Sequence, residues 1–128
     1  MLWWSDSLKT GNGKIDEQHK KIFKLGTAVL DLTTDSSGEE IQKTFRELID
    51  YTEKHFSEEE QMMGDYGYEK LEKHQTLHQE FIQKLHNTLK DFKATGHTEE
   101  NIDNLKLLMV DWLINHINEA DKEFINTL

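Results

Sequence analysis

The chain contains no cysteine and no proline. Without thiols there is no disulfide, no thiol nucleophile and no thiolate metal site. Basic residues are also short, 15 against 25 acidic ones, for a net charge of −10. Phosphate backbones and anionic lipid surfaces both reward positive charge, so nucleic acid and membrane surface are poor partners. No apolar run approaches the roughly 20 residues of a membrane span. The opening MLWWSDSLKTGNGK has neither the basic start nor the apolar stretch of a signal peptide, and a cytoplasmic location is the expectation. Apolar residues are sparse as well, at 35% with a mean hydropathy of −0.78. Even so, leucine, isoleucine, phenylalanine and valine together make up a quarter of the chain. That exceeds the roughly 20% below which a chain fails to sustain a core. A chain of 128 residues fits one domain, expected over 1–128, with a narrow core and a wide solvated surface.

What is present is helical periodicity. With no proline, punctuation falls to glycine: Gly11 and Gly13 precede the first periodic segment, Gly38 opens the second, Gly64 and Gly67 bracket a turn, and Gly96 precedes the last. Between these marks the apolar residues recur at helical spacing, as in Ile41, Phe45, Leu48 and Ile49, or Leu105, Leu108, Met109, Trp112 and Leu113. Ser37-Gly-Glu-Glu40 reads as a capping box, and Thr98-Glu-Glu puts acids in a first turn. Strand signals are absent, with only two valines and no sustained alternation. The spacing predicts helices over 15–34, 38–63, 67–95 and 98–125. Short connections make neighbours antiparallel, so the fold class is all-α, an up-down-up-down four-helix bundle. The Trp3–Trp4 arm is too apolar to stay free and is expected to pack on the bundle.

Seven histidines are many for this length, and their spacing is informative. His55 and Glu59 are four apart, as are His74 and His78, and four residues turn a helix by about 40° net, which leaves each pair on one face. At about 1.5 Å per residue, His19, His55, Glu59, His74, His78, His116 and Asp121 all fall roughly 6–16 Å from the same end of an alternating bundle. A lone histidine on an apolar face is usually a hydrogen-bonded core residue. Five of them with two carboxylates, drawn from four helices into one layer, would each be costly to bury without a cation. His86 lies off that face and His97 sits in the Gly96 loop, so both are expected in solvent.

Imidazole nitrogen and carboxylate oxygen without sulfur suit iron, manganese, zinc or nickel. Seven ligands are too many for one such ion and natural for two. The chain has neither Glu-x-x-His, the mark of carboxylate-rich di-iron bundles, nor the zinc-protease HExxH. A regular helix would swing Asp121 about 140° from the face of His116, five residues earlier. The last helix should therefore be widened or end between them, as π-type turns at functional sites are.

His19, then His55-Phe-Ser-Glu-Glu59, then His74-x-x-x-His78, then His116-x-x-x-x-Asp121 resembles the hemerythrin family of non-haem di-iron oxygen carriers. The tryptophan-bearing arm, the IDEQH that ends at His19 and the DWLINH that ends at His116 also resemble it. The long stretch between His78 and His116 is closer to bacterial members than to those of marine worms. The resemblance implies that His74, His78 and His116 hold one iron and that His19 and His55 hold the other. Glu59 and Asp121 would bridge them together with a solvent-derived oxygen. It further implies reversible O2 binding, with O2 held as hydroperoxide on one iron, and Leu113 and Ile117 lining the oxygen pocket. On that assignment the His19/His55 iron has one protein ligand fewer and keeps an open position, so O2, azide or chloride should bind there. The alternatives are a di-iron enzyme consuming O2, peroxide or nitric oxide, or a domain that reports iron or oxygen to a partner. No acid, base or nucleophile outside the ligand set identifies itself, which favours a carrier, store or sensor over an enzyme.

Overall fold

The computed structural model describes residues 6–32 and 35–127. A short 3-10 turn at Asp6–Leu8 leads into α1 (Gly13–Leu30), α2 (Gly38–Asp65), α3 (Leu71–Thr95) and α4 (Glu99–Leu107). The fourth rod continues from α4 through π-helical segments Leu108–Ile114 and Ile117–Asp121 into a last turn, α5 (Lys122–Ile125). α1 packs beside α2 and the fourth rod, and α3 closes the ring against the same two. This is the expected four-helix bundle. No strand occurs among the described residues, and none of their helices is long and apolar enough to cross a membrane.

The starts are capped by side chains. Asn12, Ser37 and Thr98 each accept a hydrogen bond from the backbone N–H three residues on, at 3.1 Å, which satisfies donors that a first turn leaves open. Asp16 anchors the incoming arm by accepting bonds from the Thr10 N–H and hydroxyl, both at 2.8 Å. Trp3 and Trp4 lie outside the described residues, but Leu8 from the same arm is buried in the core.

The boundaries of three helices differ from expectation. α1 begins two residues early at Gly13 and ends at Leu30, and residues 33 and 34 lie outside the described set. α2 runs through Gly64, so the turn belongs to Gly67 alone. There the Tyr68 N–H bonds the Met63 carbonyl (2.9 Å) and the Gly67 N–H bonds the Gly64 carbonyl (3.1 Å), with Gly67 at φ +66°. This is the Schellman arrangement, whose left-handed residue glycine supplies without strain. That loop postpones α3 from 67 to 71. Tyr68 packs on Phe124 at 4.9 Å and Lys70 pairs with Glu123, so the loop closes over the end of the fourth rod.

The core follows the helical stripes. On α2, Phe45, Leu48, Thr52, His55, Phe56, Glu59 and Met63 point inward in sequence. The stripe is apolar at one end and changes to imidazole and carboxylate near the other. The same change occurs along the other three rods, and it defines the site.

Candidate metal centre

All seven expected ligand residues come together, buried, in one layer. They form two groups: Glu59, His74, His78, His116 and Asp121 in one, and His19, His55, Glu59 and Asp121 in the other. Glu59 and Asp121 belong to both. Their positions follow from the local structure of each rod. His55 and Glu59 project from α2 a turn apart, and His74 and His78 do the same from α3. Asp121 reaches the layer because Ile117–Asp121 is π-helical, where the i→i+5 register brings residues five apart toward one face.

The atoms that meet cannot satisfy one another. His78 Nε2 and His74 Nε2 each lie 3.1 Å from His116 Nε2, and Glu59 Oε1 is 2.7 Å from His74 and 3.3 Å from His78. A neutral imidazole carries one proton, and a carboxylate only accepts. Both nitrogens of His19, Nε2 of His55, Oε2 of Glu59 and Oδ1 of Asp121 are buried without any hydrogen-bond partner. His19 Nε2 does lie 3.1 Å from Asp121 Oδ2, and His55 Nε2 3.3 Å from Glu59 Oε2, but neither contact has hydrogen-bond geometry. Lone pairs converging in a dry interior require cations. The donor set of five imidazoles and two carboxylates therefore fits divalent metal.

The ionisation pattern expresses the same demand through protons. Burial and the neighbouring Asp121 both push the Glu59 carboxyl up, yet the imidazoles of His55, His74 and His78 beside it overcome them and hold it at about 2. Burial works against protonated His74, but Asp121 and Glu59 raise it to about 9. Asp121 is held well below its ordinary value by His116, His19 and His74 against the cost of burial. Burial lowers His116 despite Asp121 beside it.

Behind the ligand atoms sit groups that the sequence did not single out. The His55 Nδ1–H donates to Gln18 Oε1 at 2.7 Å, and the Gln18 amide nitrogen donates to Glu58. The His78 Nδ1–H donates to Glu60 Oε2 at 3.3 Å. Each acceptor fixes the proton on Nδ1 and leaves the Nε2 lone pair facing the layer. These contacts cross from α1 to α2 and from α2 to α3, so linear spacing carries no sign of them. Beyond Glu60 a groove of about 670 Å³ opens between α2 and α3, lined by Phe56, Glu60, His78 and Ile82 among others. It lies on the outer side of His78, away from the converging nitrogens.

Aromatic rings wall the three-histidine side. Phe56 stacks on His78 at 3.7 Å, and Trp112 stacks on His116 at 4.5 Å and on Phe81 at 4.3 Å. Trp112, expected in the core, is half-buried and reaches a ligand as well. Leu113 and Ile117 are buried in the apolar core. His86 is exposed as expected, whereas His97 is half-buried, with its ring packed 5.5 Å from Phe92. The apolar ring has a surface to cover at the end of α3, which draws His97 out of solvent.

An alternating four-helix bundle whose buried imidazoles and carboxylates form two groups that could each hold a metal ion, with two carboxylates shared, defines the class of bundle proteins with a candidate metal centre. The family model for the hemerythrin HHE cation-binding domain matches residues 10–128. A bacteriohemerythrin from Pseudomonas paraeruginosa is 35% identical over 128 residues, covering 99% of this chain and 81% of its own. A myohemerythrin from Theromyzon tessulatum is 35% identical, covering 94% of this chain and 88% of its own. A crystal structure of wild-type hemerythrin superposes with a TM-score of 0.82 at 32% identity, over 98% of this chain and 95% of that one. The chain belongs to the hemerythrin family.

Proposed function

We propose that the protein, read as a single domain over 1–128, binds O2 reversibly at a non-haem di-iron centre, as a carrier, store or sensor. The observation that carries this reading is the division of seven buried ligand residues into two groups that share Glu59 and Asp121. One ion has no use for seven ligands, while two ions sharing two carboxylates use them all. His74, His78 and His116 would hold one iron, His19 and His55 the other, with Glu59 and Asp121 common to both. A bound pair of irons supplies the two electrons with which O2 is taken up and returned.

The chain's own residues set the conditions for that chemistry. Gln18 and Glu60 hold His55 and His78 in the tautomer that presents Nε2 inward. The group containing His19 and His55 has one histidine fewer, so an added ligand (O2, or azide or chloride in its place) belongs on that side. Leu113 and Ile117 are 1% and 0% exposed, so side chains on the fourth rod exclude water from the interior beside it. Among the described residues the one other buried carboxylate, Asp16, is engaged with Thr10 and Gly11. Among the described residues, then, no buried carboxylate outside the two metal-binding groups is left unengaged. Anaerobic loading with ferrous iron, followed by metal analysis, tests the reading. It predicts two irons per chain and a loss from both positions in Asp121→Ala. Saturation of the wild type at one iron would overturn it.

A further inference from the structure

Thr52 is fully buried on the inward stripe of α2, and its hydroxyl has no hydrogen-bond partner. A helical threonine ordinarily bonds the carbonyl four residues back. Thr44, Thr76, Thr88 and Thr95 all do so here, at 2.8–3.1 Å. Thr52 departs from that habit inside the core, where an unpaired hydroxyl is costly. Valine has nearly the same shape and would fill the position without that cost.

The register shows what the hydroxyl is near. Thr52 lies seven residues before Glu59, which is about −20° around the helix, and one turn before His55. Ile22 and Phe81 are one turn beyond His19 and His78, and Leu113 is one turn before His116, each toward the middle of the bundle. These three are buried and apolar. The layer directly beneath the metal centre is therefore Ile22, Thr52, Phe81 and Leu113, with one side-chain hydroxyl among hydrocarbon. Its nearest ligand along α2 is His55, which belongs to the group lacking a third histidine.

We propose that Thr52 is a positioning residue for the small ligand taken up beside His19 and His55, with Oγ1–H donating to O2 or to an anion such as azide. This rests on the metal-centre reading above. The apolar neighbours shape the space and exclude water, and Thr52 gives a polar guest its one side-chain donor from that layer. A guest without an acceptor atom gains nothing from it.

The test compares wild type, Thr52→Val and Thr52→Ser after iron loading, by optical and infrared titration with azide, alongside melting of the metal-free proteins. Thr52→Val should load the same iron as wild type and melt no lower when metal-free. Its azide Kd should nevertheless rise about three- to tenfold, the effect of one lost neutral hydrogen bond. The infrared band of bound azide should move, and Thr52→Ser should restore both. Unchanged azide affinity and band in Thr52→Val would overturn the proposal while the metal centre stands. Loss of iron or of metal-free stability in Thr52→Val would assign Thr52 to folding and also overturn it. Wild type that loads no iron would instead bring down the metal-centre reading, and this proposal with it.

Discussion

Removing the metal should loosen the bundle by an amount the structure allows to be worked out. Five buried polar atoms in the ligand layer lack hydrogen-bond partners: two on His19 and one each on His55, Glu59 and Asp121. A buried unsatisfied group costs about 1–3 kcal/mol, so the gross penalty is on the order of 5–15 kcal/mol. The metal-free protein recovers part of this by protonating His74 and by admitting water. If about two-thirds is recovered, ~2–5 kcal/mol remains as the advantage of the loaded form. For a domain of this size each kcal/mol moves Tm by about 3–5 °C, so iron should raise it by roughly 6–25 °C. Helix melting followed by circular dichroism, on iron-loaded and chelator-stripped samples at one pH, measures the difference. Coincident melting curves, with full iron content in the loaded sample, would show that the layer satisfies itself and would refute the reasoning.

Four further outcomes follow from particular residues. In the metal-free protein, His74 is raised to about 9, so its contribution is complete below its ordinary 6.5 and lost as pH rises through 9. Glu59, held at about 2, contributes above its ordinary 4.5 and loses that contribution as pH falls toward 2. The metal-free Tm should thus fall between pH 6.5 and 9 while the loaded Tm stays flatter, and parallel profiles would contradict this. Glu60→Leu should speed iron loss to a chelator about 10- to 100-fold, with Glu60→Gln closer to wild type, because an acceptor behind His78 fixes its tautomer. Leu113→Ala should cost about 2–5 kcal/mol by opening a cavity, and should leave iron content unchanged while shortening the life of the oxygenated spectrum. Gly67→Ala should cost about 1 kcal/mol, seen in denaturant melts, with no change in iron content, because φ +66° suits only glycine there.

The gathering of the seven candidate ligand residues was legible because its signal lies in linear spacing on helices whose periodicity is plain. The i, i+4 pairs and the position of each residue along its rod suffice to put all seven in one layer. Even the π turn at Ile117–Asp121 could be anticipated, since the five-residue gap from His116 to Asp121 fits no regular helix that keeps both inside. The other π segment, Leu108–Ile114, had no such marker. An apolar run such as Leu108-Met-Val-Asp-Trp-Leu-Ile114 presents an inward face in either register, and packing decides between them. Gln18, Glu58 and Glu60 were missed for a different reason. They read as ordinary solvated helix residues, and their role appears only when one helix is laid against the next. Thr52 hid in the same way, because a threonine among core residues looks like a hydroxyl bonded to its own backbone.

The central claim is reversible O2 binding at two irons, and one aerobic cycle tests it most directly. Ferrous-loaded protein with two irons per chain is exposed to O2, then stripped of gas under vacuum, while its visible spectrum is recorded. The account predicts an oxygenated spectrum that appears with O2, vanishes on its removal and returns over repeated cycles without added reductant. A spectrum that never reverses, or steady consumption of O2 and reductant in its place, would contradict it.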